Sequence, residues 1–155
     1  YGCHNSNTQK EKQSVNKILD CEKDFGICKE STYSGFQPKV DCIKNSLLEF
    51  LLEQKANNKI VVGYGAAAKG NTLLNYSGIK PDLISYVFDG AASKQNKFLP
   101  GSHIPILEPS RITEIDPDYV VIFPWNIADE IQKIAKPMIR KEAKFVVAIP
   151  ELKII

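Results

Sequence analysis

The stretch that most constrains the fold is Ile60-Val61-Val62-Gly63-Tyr64-Gly65, an apolar run that breaks at two glycines and passes into Ala66, Ala67 and Ala68. The β-branched residues read as a buried strand, and the glycines behind them as a sharp turn into a helix. Each small residue has a physical use in such a turn. Gly63 permits the bend, Gly65 lets backbone N–H groups approach an anion, and Ala68 brings helix and strand together. Gly63, Gly65 and Ala68 match G-x-G-x-x-G/A, the spacing that sets a phosphate at a helix N-terminus. Residues 83–88 read as a second strand ending in Asp89, at the distance where such folds place an acid on a ribose hydroxyl.

Around this stretch, apolar runs alternate with helical spacing. Residues 60–62, 83–89, 104–107, 119–123 and 145–149 read as strands, with YVVIF and FVVAI the most continuous. Helices are expected at 14–26 with Ser14 as a cap, at 38–57, at 70–76, from Pro109 to Ile115, and at 128–141 with a kink at Pro137. The alternation predicts an α/β fold: a Rossmann-like sheet of five parallel strands in the order 3-2-1-4-5, flanked by helices and preceded by a helical extension. Residues 1–37 are expected to form the extension and residues 38–155 the Rossmann-like domain. Residues 1–13 are polar, without periodicity, and read as the cut end of a longer element. Residues 90–103, with Lys94, Lys97, Pro100 and Gly101, read as a long functional or mobile loop.

Charge narrows the function classes. A formal net charge of +2 arises from interleaved acids and bases, which argues against a nucleic-acid partner. No apolar stretch is long enough to span a bilayer and the start lacks a signal-peptide layout, so a cytoplasmic protein with no membrane partner is expected. Cys3, Cys21, Cys28 and Cys42 lack the close pairing of zinc ligands and read as free or partly buried thiols; no metal site is expected.

In such sheets ligands collect beyond the carboxyl ends of the strands where the order reverses. The candidate binding residues are therefore Gly63, Tyr64, Gly65, Ala66, Ala67, Ala68, Lys69, Gly70, Asn71, Asp89, His103, Trp125 and Asn126. Lys69 offers a point charge beside a phosphate or is a solvated lysine; preceding Gly70 and Asn71, it is not a Walker lysine. Asp89 accepts from a ribose or merely ends its strand. Trp125 stacks on a ligand or joins the core, and a lone loop histidine such as His103 is more often solvated than catalytic. No nucleophile–base constellation and no paired carboxylates occur, so no catalytic residue is assigned.

Four motifs in order, GYGAAAKGNTLLNYSGI (63–79), KQNKFLPGSHIPI (94–106), PDYVVIFPWNIADEI (117–131) and KFVVAIPEL (144–152), resemble the C-terminal domain of SAM-dependent C-methyltransferases acting on nucleotide-linked deoxysugars. The resemblance runs from about Val40 to the end. It implies a parent transferase that moves a methyl group from SAM to a sugar carbon beside a keto group. It also implies upstream SAM-binding and zinc-binding domains in the same chain, which hold the SAM, the structural zinc and the catalytic residues. This fragment alone is then expected to bind no cofactor, to be inactive, and to contact the nucleotide-linked sugar through residues 63–71, His103, Trp125 and Asn126. Asn96 and Ser102 depart from the Gly and Thr common at those places. The rival reading is an NAD(P)-binding Rossmann domain of an oxidoreductase or redox sensor, and a third is a docking module.

Overall fold

The computed structural model describes His4, Ser6, residues 12–139 and residues 142–155. The chain divides into two compact units, Tyr1–Lys39 and Val40–Ile155. In the first, helix α1 (Gln13–Phe25) stops at Gly26, whose φ of 76° is the left-handed cap that glycine adopts at least cost. The Gly26 and Ile27 N–H groups close the end on Lys23 O and Glu22 O, at 3.0 and 3.1 Å. The expected Ser14 cap is corrected: Lys12 holds that place without a side-chain hydrogen bond.

Helix α2 (Phe36–Ala56) carries Leu47, Phe50, Leu51 and Gln54 on one buried face, a spacing of three and four residues. There follow β1 (Val61–Tyr64), α3 (Ala68–Tyr76), β2 (Val87–Phe88), β3 (Lys97–Phe98), β4 (Pro105–Leu107), α4 (Ile112–Ile115), β5 (Tyr119–Ile122), α5 (Ala128–Ala135), β6 (Lys144–Val147) and β7 (Lys153–Ile154). The sheet has seven strands in the order β3-β4-β2-β1-β5-β6-β7. The five-strand, all-parallel expectation is thereby corrected in count and order. β4, β2, β1, β5 and β6 pair in parallel, while β3 on β4 and β7 on β6 add antiparallel edges. Both edges are two exposed residues long, too short for an alternating pattern and each carrying a lysine, as edges that avoid further pairing do.

Strand residues alternate between two cores. Val61, Val87, Ile106, Val121 and Val146 join α2 and α3 residues on one face. Val62, Phe88, Leu107, Val120, Ile122 and Phe145 join Ile112 of α4 and Ile131 and Ala135 of α5 on the other. This period of two, with both faces apolar, is why the runs read as continuous rather than alternating. Two expected elements shrink most. Of residues 83–89 only Val87 and Phe88 form strand, and the helix expected over 128–141 ends at Ala135, where a tighter turn, Lys136–Met138, accommodates Pro137. The last two residues of that expected helix, 140 and 141, lie outside the described residues. Among the described residues no helix is long and apolar enough to cross a membrane.

Phe123, just beyond β5, sets how closely α3 rides on the sheet. A Cβ on Gly63 would lie 2.5 Å from Phe123 Cε2, and one on Gly70 2.4 Å from Phe123 Cβ. It is thus Gly70, buried, rather than the exposed Ala68, that brings helix and sheet together. Gly70→Ala is expected to lower stability by about 2 kcal/mol, because an added methyl displaces a fully packed ring and outweighs alanine's better helix propensity. A shifted urea midpoint at constant slope is the measurement.

Candidate functional site

The carboxyl ends of β1, β2 and β5 bring together residues 63–70, Asp89 and residues 124–126, as the topology demands. At Gly65 the backbone turns with φ 89°, and a Cβ there would sit 2.4 Å from Pro124 Cδ. Pro124 thus packs against Gly65 on the side where a side chain there would project. Lys69 also turns to this side: its Nζ donates to Asn126 Oδ1 at 2.6 Å and stands 4.6 Å from the Trp125 ring centroid. At the ends of β1 and β5, therefore, Gly65 meets Pro124 and Lys69 meets Trp125 and Asn126.

Asp89 is equally committed. It is only 8% exposed, and its Oδ2 accepts from Ala66 N–H at 2.7 Å and from Lys94 Nζ at 3.0 Å. Its Oδ1 accepts from Ala91 N–H at 2.8 Å, and its carbonyl from Gln95 Nε2 at 2.9 Å. The carboxylate therefore ties the glycine turn to the segment that follows β2. The remaining turn amides are also spent: Gly65 N–H donates to Phe88 O at 2.7 Å and Ala67 N–H to Gly65 O at 2.8 Å. What stays available is the first turn of α3, which has no capping side chain and no intrahelical partner for its N–H groups.

That turn opens onto a groove of about 390 Å³ on the β2–β4 side of the sheet. Ala66, Ala67, Ala68 and Asn71 line it from the α3 side, and Ser93, Lys94, Lys97, Phe98 and Pro100 from the segment around β3, with Leu99 and Ile106 completing it. Two lysines and the uncapped helix start make it favourable to anions. Phe98 is 63% exposed, an aromatic face unused by the core. Among the described residues, the buried Asn71 Oδ1 accepts no hydrogen bond. A wider cleft of about 590 Å³, lined by Gln132, Lys136, Lys144 and Ile155 among others, lies where β6 begins. That is the amino edge of the parallel strands, where such sheets do not collect ligands.

Of the remaining expected residues, Tyr64 points into the core beside α4 and α5, away from the groove. Burial first, and then the charge of Asp89, push its phenol above the ordinary 10.0. A folded-state value above the unfolded one means stability present below about pH 10 and lost as pH rises through the raised value. A thermal melt series from pH 8 to 11 should show that decline, and Tyr64→Phe should soften it. His103 is exposed in the turn between β3 and β4 with φ 59°, outside the groove lining. Among the described residues no three His, Cys, Asp or Glu side chains gather as a metal would need, and Cys21, Cys28 and Cys42 are exposed free thiols. Lys94, Lys97 and Phe98 were not among the expected site residues. The signal for them was the order Lys97-Phe98, then Pro100-Gly101, then Ile104-Pro105-Ile106, a turn between two short extended pieces.

Two comparisons bear on what this arrangement belongs to. The C-methyltransferase C-terminal domain model matches residues 1–150. The chain is also 35% identical over 142 residues to the C-methyltransferase NovU of Streptomyces niveus, covering 92% of this chain and 34% of NovU. The chain thus spans about a third of the length of that curated relative. With a family match over nearly its whole length and a relative 35% identical over 92% of it, this chain belongs to the C-methyltransferase C-terminal domain family.

Proposed function

We propose that this chain is the part of a SAM-dependent C-methyltransferase that holds the nucleotide-linked sugar, and that the groove at the start of α3 is where it does so. The observation that carries the reading is the groove's composition: an uncapped helix N-terminus, Lys97 for a diphosphate, and an exposed Phe98 for a ring. A diphosphate is common to every nucleotide sugar, so such a groove tolerates variation in the sugar itself. SAM does not fit here. Its sulfonium and ammonium would meet two lysines, and the nearby carboxylate, Asp89, is already occupied by Ala66, Ala91 and Lys94. In the parent enzyme the rest of the chain would hold SAM, the source of the methyl group, together with the catalytic base and the structural zinc. Dinucleotide binding at Gly65 is disfavoured by Pro124.

Calorimetric titration of the chain with UDP-, dTDP- and GDP-glucose, and separately with SAM and NAD, tests this. At least one nucleotide sugar should bind, while SAM and NAD should give no heat above dilution. Binding of SAM or NAD in place of every nucleotide sugar overturns the proposal.

A further inference from the structure

We infer that Lys97, on the edge strand β3, is the cation that holds the diphosphate, rather than the lysine inside the glycine-rich turn. This rests on the groove being the nucleotide-sugar site. The choice among lysines follows from what each already touches. Lys69 is held on the β5 side by Asn126 and Trp125 and is not part of the groove lining. Lys94 lines the groove, but its ammonium is 3.0 Å from Asp89 Oδ2, so its charge is largely neutralised before any ligand arrives. Lys97 lines the groove with its Nζ donating to the Ser93 carbonyl at 2.7 Å, and among the described residues it has no carboxylate partner. Its positive charge is therefore uncompensated, and a carbonyl contact leaves two of the three ammonium N–H donors for a ligand.

Lys97 is also placed by backbone rather than by chance. It pairs with Ile106 in the antiparallel β3–β4 ladder, and Asn96 N–H donates to Ile106 O at 2.9 Å. Asn96 itself takes φ 60°, the left-handed turn that carries the chain from the Asp89 clamp into β3. Lys97 therefore belongs to one groove wall, residues 93–100, and the α3 N-terminus to the other. A diphosphate bridging the two walls satisfies the charge on one and the unpaired N–H groups on the other. The ligand class that fits both walls is a pyrophosphate ester.

The test is titration of the chain with inorganic pyrophosphate and with UDP-glucose, at low and moderate salt, for the parent, Lys97→Ala, Lys97→Arg and Lys69→Ala. Lys97→Ala should weaken both probes about tenfold and flatten their salt dependence, and Lys97→Arg should restore most of the affinity. Lys69→Ala should change either Kd by less than about twofold, since its ammonium is held on the β5 side by Asn126 and Trp125, outside the groove lining. Parent-like binding by Lys97→Ala, or an equal loss in Lys69→Ala, overturns the assignment while leaving the nucleotide-sugar site standing. Failure of the parent to bind pyrophosphate or any of UDP-, dTDP- and GDP-glucose instead overturns the site, and the assignment falls with it. Lys97 is exposed on an edge strand, so both variants should keep the parent's melting temperature, which a circular dichroism melt confirms.

Discussion

Gly65→Val is expected to cost about 4 kcal/mol of stability, enough to leave a substantial fraction of the chain unfolded. Two terms add. A β-branched residue held at φ 89° carries roughly 1–3 kcal/mol of backbone strain, and its Cβ would begin 2.4 Å from Pro124 Cδ, an overpacking worth about 1–3 kcal/mol more. The sequence pattern suggests that the harm would come from blocking a ligand's approach; the geometry says that it comes from blocking Pro124. Pro124→Ala discriminates. If Pro124 is the obstacle, Gly65→Ala and Pro124→Ala should be less than additive by about 1 kcal/mol, leaving only the strain of φ. Full additivity in urea denaturation would show that the two residues do not meet.

Asp89→Ala has the second-largest expected effect, about 3 kcal/mol. It strips the acceptor from two backbone N–H groups, Ala66 and Ala91, and leaves the Lys94 ammonium without its partner, at a position only 8% exposed. Asp89→Asn should cost roughly half as much, since one oxygen still accepts. Were Asp89 instead a ribose acceptor with no internal duty, Asp89→Asn would leave the denaturation midpoint where it was and weaken only nucleoside-containing ligands. The account here expects both to move, because losing the clamp loosens the wall that carries Lys97 and Phe98.

How far the sequence discloses this structure can be argued residue by residue. The strands that are buried on both faces, such as Tyr119–Ile122 and Lys144–Val147, announce themselves as apolar runs because each alternate residue meets a different core. The two edge strands do not, since two exposed residues held by one neighbour leave no periodicity to read. The glycine spacing discloses the strand-to-helix turn but not its tenants. Whether Gly65 faces a phosphate or Pro124 depends on a residue about sixty positions away, which no local pattern encodes. Asp89 likewise stands where a ribose acid would stand, yet its oxygens are consumed by Ala66, Ala91 and Lys94. Asn96 shows the reverse case. It departs from the glycine usual in the resembling motif, and the structure gives it φ 60°, a conformation that asparagine tolerates better than other residues with a side chain.

If the groove between the start of α3 and the β3 wall receives the nucleotide-linked sugar, a bound ligand perturbs both walls. An amide-shift NMR titration of the chain with the tightest-binding of UDP-, dTDP- and GDP-glucose tests it most directly. The account predicts saturable shifts concentrated at Ala67, Ala68, Asn71, Lys94, Lys97 and Phe98, with Trp125 and Asn126 little changed. Shifts centred on residues 124–127, with the β3 wall silent, would contradict it.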